Sequence, residues 1–258
     1  MSVTCTIVTM FHCERIDLDM NATNLKRYLF FFFLIFFVAC KSKSVKPLKE
    51  KEIILDASTI NNYIRDDIKN ALAIALDSSG KVHDSLQLPY YKVVEHYYRL
   101  NDYKPLWSDT GKWKTAVDSF YNYFETAAQD GLYKEHYHYA SIKKLKEELS
   151  TDSVKRKDAI LWTRADILLT DAFMHIIADL GQGRIRPDSI AWKNDTSKYN
   201  KYFAATLDRY LQKDTLSGIF HELQPRYSKY WELKACIKPF LDSMDTKTYT
   251  YIQYPYKE

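Results

Sequence analysis

Glycine and proline are scarce in this chain of 258 residues, which contains 6 Gly and 7 Pro. Their scarcity counts against a collagen-like chain, a β-sandwich with many turns and a glycine-rich phosphate-binding loop. The formal net charge is only +4, with both signs mixed along the sequence, which does not favour a nucleic-acid-binding protein. What is abundant is hydrophobic and aromatic residues, at 46% and 15%, so the chain is predicted to fold around a core.

An apolar run near the N-terminus, Leu29–Cys40, contains six of the 13 phenylalanines. It is shorter than the roughly 20 residues of a transmembrane helix. Lys26 and Arg27 precede it, as basic residues precede the apolar part of a signal peptide. We therefore predict that residues 1–39 are a signal peptide. Residues 1–19 carry three acidic side chains and resemble a gene-start artefact, which makes Met20 the better start.

The sequence Phe37-Val38-Ala39-Cys40, at the end of this run, is similar to a bacterial lipobox. That resemblance implies cleavage before Cys40 and acylation of its thiol and its new amino group; the alternative is an uncleaved N-terminal anchor. Residues 40–57 are predicted to be the lipidated cysteine and a charged tether. The first residues after Cys40 are basic rather than acidic. This favours attachment to the membrane on the periplasmic side of the bacterial cell envelope.

The cysteine count changes once the signal peptide is removed. Cys5 and Cys13 are lost and Cys40 is lipidated, which leaves Cys236 as the one free thiol. A disulfide within the chain and a cysteine-based zinc site are therefore excluded. Cys236 could be a catalytic nucleophile, but the apolar Leu233 and Ile237 on either side of it favour a buried core residue instead.

Helical periodicity dominates residues 58–248, and no strand alternation is strong enough to predict a sheet. We predict an all-α fold, a single helical domain of about seven helices, followed by the start of a linker at residues 249–258. Asp109–Gly111 is predicted to be a turn. The predicted helices cover residues 58–79, a segment beginning at Pro89, then 113–128, 141–149, 153–180, 201–211 and 227–242, the last kinked or shortened by Pro239.

The longest predicted helix is apolar on nearly every side, which predicts that other helices surround it. Its charged residues argue against a membrane span. His175 lies one turn from both Asp171 and Asp179, a row that could bind a metal ion or transfer protons. A buried polar stripe is the favoured interpretation.

No convincing active site emerges from the residues alone. His136 and His138 could ligate a metal, but no further ligand lies at a typical spacing, so surface or turn histidines are favoured. We predict no catalytic residue, no cofactor and no metal site.

Five groups of residues nonetheless occur in a familiar order. Their scaffold-motif positions are Tyr103, Pro105, Leu106, Trp107, Gly111, Gly131, Leu132, Asp171, Phe173, Gly183, Pro187, Pro225 and Tyr230. Together these groups are similar to motifs of the N-terminal scaffold domain of large periplasmic L,D-transpeptidases, and the similarity covers residues 88–241.

The resemblance implies a role in peptidoglycan cross-linking and cell wall biogenesis, because these enzymes join two diaminopimelate residues of neighbouring stem peptides. Their nucleophile is a cysteine in a His-Gly-Cys motif of a downstream catalytic domain. This sequence contains no His-Gly pair, and Cys236 lies within the scaffold similarity. We therefore expect a non-catalytic lipoprotein scaffold, truncated or split from its catalytic domain.

The partners expected on this interpretation are peptidoglycan or a separate transpeptidase catalytic domain, and the membrane through the lipid anchor. No nucleic acid is expected. The alternative is a stand-alone envelope lipoprotein that binds cell-wall glycan or a partner protein, with tyrosines and tryptophans as stacking surfaces. A third hypothesis, an independent enzyme that uses Cys236 or His175, is the least favoured.

Overall fold

One long helix lies at the centre of the fold, and most of the other helices pack around it. The computed structural model describes residues 49–83, 86–184, 196–213 and 216–244. The predicted signal peptide, Cys40, Pro187 and the predicted linker at 249–258 lie outside these ranges. The described α-helices are α1 (Ile60–Asp77), α2 (Tyr91–Leu100), α3 (Thr115–Tyr123), α4 (Tyr139–Thr151), α5 (Ala159–Gln182), α6 (Thr196–Lys213), α7 (Leu216–Leu223), α8 (Ser228–Ala235) and α9 (Ile237–Ser243).

Short elements connect these helices. Strand β1 (Lys81–His83) pairs antiparallel with β2 (Leu86–Gln87), and β3 (Ser108–Asp109) pairs antiparallel with β4 (Lys112–Trp113). Single turns of 3₁₀ helix cover Ala127–Asp130, Lys134–Tyr137 and Lys155–Lys157. The prediction of a mostly helical single domain is confirmed.

Helix α5 is the central element, as its sequence predicts. Nineteen of its 24 residues are buried, and it packs against α1, α2, α4, α6 and α7. It ends at Gly183, whose φ of 78° is a conformation that glycine adopts without strain. Within the described residues, no helix combines the length and the apolar character needed to cross a membrane.

Helix α1 forms because its apolar residues recur every three or four positions. It packs against α2 and α5 through this face. Each isoleucine that is fully buried there contributes about 1.5–3 kcal/mol of hydrophobic stabilisation. The buried residues of the face include Ile60, Ile64, Ile68, Ala71, Leu72 and Ala75.

Aromatic rings fill the core beside α5. The Trp107 ring stacks on Phe120, with 5.4 Å between ring centroids, and lies 6.2 Å from Phe173. Phe173 in turn stacks on Tyr210 of α6, at 5.3 Å. Four separate elements therefore meet at one aromatic cluster.

Both β-hairpins were missed by the sequence analysis, because strands of two or three residues are too short to show alternation. The predicted turn at Asp109–Gly111 is confirmed: Thr110 and Gly111 both have positive φ, at 46° and 71°, as a two-residue hairpin turn requires. Trp113, predicted in a helix, lies in β4 instead.

The C-terminal region also differs from the prediction. In place of one helix kinked at Pro239, two helices, α8 and α9, meet at Cys236. Pro239 lies in the first turn of α9, where its missing N–H breaks no intrahelical bond. Neither α8 nor α9 contains a buried residue, and α7 was not predicted at all.

Candidate functional site

The most polar part of the core is a row of buried carboxylates on α5. Asp158, at the residue before the helix, and Asp166, Asp171 and Asp179 within it are each 9% exposed or less. Burying a carboxylate is costly unless hydrogen bonds compensate it. The hydrogen-bond partners of these four side chains therefore show whether the row is structural or chemical in function.

Asp158 holds the chain segment that precedes α1. Its Oδ1 accepts the N–H of Ile160, which caps α5, and the N–H of Glu52, at 3.1 and 3.0 Å. The Ile54 N–H then donates to the carbonyl of Lys157 at 2.7 Å. Contacts with the helical body thus already begin at Glu52, inside the segment interpreted as a tether.

Asp166 holds the segment that carries the first scaffold motif. Its carboxylate accepts the Tyr98 hydroxyl at 2.5 Å and the N–H groups of Leu106 and Trp107 at 2.8 and 3.0 Å. The indole N–H of Trp107 donates to the Thr170 hydroxyl at 2.8 Å. Burial raises the pKa of Asp166, and the three hydrogen bonds oppose this rise.

Asp171 and Asp179 bind two further segments. Asp171 Oδ1 accepts the N–H of Tyr90 at 2.9 Å, and its Oδ2 lies 2.8 Å from Nε2 of His138. Asp179 accepts the Tyr137 hydroxyl at 2.8 Å and lies 3.5 Å from Nε2 of His175.

The predicted row of Asp171, His175 and Asp179 is therefore divided between different partners. His175 approaches Asp179, but Asp171 is directed to His138, which lies 33 residues away in the sequence. The His175 ring packs between those of Tyr90 and Tyr137, with centroids 5.0 and 4.8 Å away. The arrangement resembles a structural polar stripe more than a proton-transfer chain.

Tyrosine hydroxyls pair with four aspartates, of which Asp166 and Asp179 are buried on α5. Tyr97 donates to Asp208, and Tyr123 donates to Asp130 at 2.7 Å, in addition to the two pairs on α5. These four tyrosines have phenols whose pKa is raised, by burial first and by the neighbouring carboxylate second: Tyr97, Tyr98, Tyr123 and Tyr137.

The remaining motif residues that the structure describes lie in turns and loops, in the core, or, for Tyr230, on α8. The Gly111 and Gly131 positions require positive φ, at 71° and 72°. Leu132 and Phe173 are buried, whereas Pro225 is exposed.

Two motif tyrosines donate their hydroxyl hydrogens to side chains. Tyr103 donates to Glu95 at 3.2 Å, and Tyr230 donates to Gln224 at 2.8 Å. Pro105 lies directly before the segment whose N–H groups Asp166 accepts.

The interpretation of Cys236 as a core residue is wrong. Cys236 is exposed at the junction of α8 and α9, and its thiol donates to the carbonyl of Glu232 at 3.4 Å. Its apolar neighbour Leu233 is itself 71% exposed. Apolar neighbours within a helix do not show whether another element covers that helix.

Metal-binding geometry is not found in the described parts of the chain, where no group of three or more His, Cys, Asp or Glu residues could hold an ion. His136 instead faces Arg184, with 2.8 Å between Nδ1 and the guanidinium. Sequence reasoning missed this contact and the His138–Asp171 pair because their members are 48 and 33 residues apart.

Comparison with known proteins agrees with the motif order. A family model described as a scaffold domain matches residues 92–236, more than half of the chain. No curated protein and no solved structure matches the chain. The matched region contains α2 to α8 and all the buried carboxylates of α5. The chain therefore belongs to the family of L,D-transpeptidase scaffold domains.

Proposed function

We propose that this protein is the lipid-anchored scaffold of an L,D-transpeptidase that cross-links peptidoglycan. Cys40 would carry the lipid, and the helical body would stand on the periplasmic side of the bacterial envelope. The family match over residues 92–236 carries this proposal. The buried carboxylates of α5 support it, because their hydrogen bonds hold parts of the chain together and present a rigid body.

A scaffold also needs a surface on which to hold its catalytic partner. Apolar residues recur every three or four positions from α8 to the residue that follows α9, and we call them the C-terminal stripe: Leu233, Ile237, Phe240 and Met244. Leu233, Phe240 and Met244 are 71%, 63% and 52% exposed. Large exposed apolar side chains that recur at helical spacing favour an interaction surface. We assign the catalytic domain of the transpeptidase to this stripe, which lies where the family match ends.

The test is the cross-link content of the cell wall in a strain that lacks this gene. Diaminopimelate–diaminopimelate cross-links, quantified by muropeptide chromatography and mass spectrometry, should fall. A plasmid copy of the wild-type gene should restore them. A copy with Leu233→Asp and Phe240→Asp should not, because charges on the stripe oppose apolar docking.

Leu100→Asp is the matched control, since Leu100 is 60% exposed on α2, away from the stripe. This variant should restore the cross-links fully. Unchanged cross-links in the deletion strain would overturn the proposed role. Full restoration by the stripe variant would overturn the assignment of the docking surface alone.

A further inference from the structure

A cleft of about 590 Å³ opens between α3, the 3₁₀ turn that follows it, α7 and α8. This size lies within the range of small-molecule binding sites. Hydroxyl and amide groups from Ser119, Asn122 and Ser217 line it, together with the aromatic rings of Tyr123 and Phe220. None of the described carboxylates of α5 belongs to it.

The floor of the cleft is an ordered polar network whose charges cancel. Asp130 accepts the Tyr123 hydroxyl at 2.7 Å and contacts the Lys234 ammonium. Lys234 also donates to Oε1 of Gln224 at 2.6 Å, and the Tyr230 hydroxyl donates to the same oxygen at 2.8 Å. Because the carboxylate and the ammonium neutralise each other, the floor favours a ligand without net charge.

The rim differs from the floor because its polar side chains keep their hydrogen-bonding capacity. Within the described residues, the side chains of Ser119, Asn122 and Ser217 make no hydrogen bond to the protein. An amide offers two donors and an acceptor, and each hydroxyl offers both. His221 lies beside them, and its ring is fixed by stacking on Trp231 at 4.4 Å and 18°.

We propose that this cleft binds a neutral saccharide. A sugar ring presents hydroxyls along its edge, which match the amide and hydroxyl groups of the rim. It also presents C–H groups on its faces, which match the half-buried Tyr123 ring, whereas Phe220 lies beneath at 2% exposure. An apolar ligand would desolvate Asn122, Ser119 and Ser217 without replacing their hydrogen bonds to water. The proposal stands independently of the transpeptidase role.

Isothermal titration of the full chain in detergent tests this site with three probes. They are the tetramer of N-acetylglucosamine, maltotetraose and a sulfated disaccharide. At least one of the neutral sugars should bind saturably, and the sulfated probe should bind more weakly. Absence of saturable binding of both neutral sugars, or preference for the sulfated probe, would overturn the proposal.

Two variants locate the binding. Ser217→Trp should abolish it by filling the cleft, whereas Ser141→Trp, at an exposed serine of α4 in a different cleft, should leave it intact. Asn122→Ala should weaken affinity about tenfold through the lost hydrogen bonds, and Ser141→Ala should not change it. Equal affinity of wild type, Ser217→Trp and Asn122→Ala would show that the sugar binds elsewhere.

Discussion

The central helix α5 and the C-terminal helices α8 and α9 use similar residue types in opposite ways. Helix α5 buries 19 of its 24 residues, whereas α8 and α9 bury none. Asp166 of α5 accepts three hydrogen bonds in the core, but Asp242 of α9 pairs with Lys238 while 63% exposed. The stability of the fold is thus concentrated around α5, and the C-terminal helices remain available for contact.

The strongest test of this comparison removes Asp166, a carboxylate that is 1% exposed and accepts three hydrogen bonds. Asp166→Ala leaves the N–H groups of Leu106 and Trp107 without an acceptor and the Tyr98 hydroxyl with Thr170 alone, so we expect the free energy of unfolding to fall by about 3–5 kcal/mol. Urea unfolding followed by circular dichroism measures it. The matched control is Asp242→Ala, whose surface ion pair should contribute less than about 1 kcal/mol. Equal losses in the two variants would refute the contrast between the two regions.

A medium effect on the free energy of unfolding is expected at Asp67 of α1, which lies at the boundary of the core and is 8% exposed. Burial, and then the charge and hydrogen bond of Glu52, raises the pKa of Asp67 to about 7. Between roughly pH 4 and pH 7 the native protein therefore keeps a proton that the unfolded chain loses. The contribution of Asp67 to stability accordingly declines as pH rises through this window.

Asp67→Asn removes that dependence. The variant should match wild type near pH 4 and exceed its unfolding free energy by about 1–2 kcal/mol above pH 7, after allowance for solvent screening. Urea titrations at several pH values give the difference. Asp242→Asn is the control, because Asp242 is 63% exposed and lies on α9, not on the helix of Asp67. A constant difference across the range would contradict the assignment of the proton to Asp67.

The smallest change in the free energy of unfolding is expected for substitutions on the C-terminal stripe. Phe240→Ala removes a ring that is 63% exposed, so the unfolding free energy should change by less than about 0.5 kcal/mol. The same truncation at Phe173, which is fully buried, should cost about 3–5 kcal/mol. Similar losses at the two positions, measured by urea unfolding, would mean that α9 packs as tightly as α5.

Helix positions were the most predictable part of this molecule. Helices α1 and α5 follow from the spacing of their apolar residues, and the stop at Gly183 follows from its freedom at positive φ. The break at Cys236 follows in part, because the ring and missing N–H of Pro239 disrupt the helical turn before it. The separation into two helices and the residue at which they meet did not follow from the sequence. The exposure of Cys236 also depends on which elements cover it, and periodicity within one helix carries no such information.

The long-range contacts of the candidate sites were beyond the sequence. Asp171 was recognised as part of a polar stripe, but its partner His138 belongs to another element. The pair of Gln224 and Asp130 in the cleft is separated by 94 residues. Such pairs arise from the packing of helices, so local spacing could identify the acids without identifying their donors.

The pairing of tyrosines with acids also sets an alkaline limit to the fold. Tyr98 and Tyr137 have pKa values raised above the usual 10, by burial first and by Asp166 and Asp179 next. Above pH 10 the unfolded chain releases these phenolic protons while the native chain retains them. Each further rise in pH therefore favours the unfolded state, and ionisation of these phenols accompanies the loss of the core.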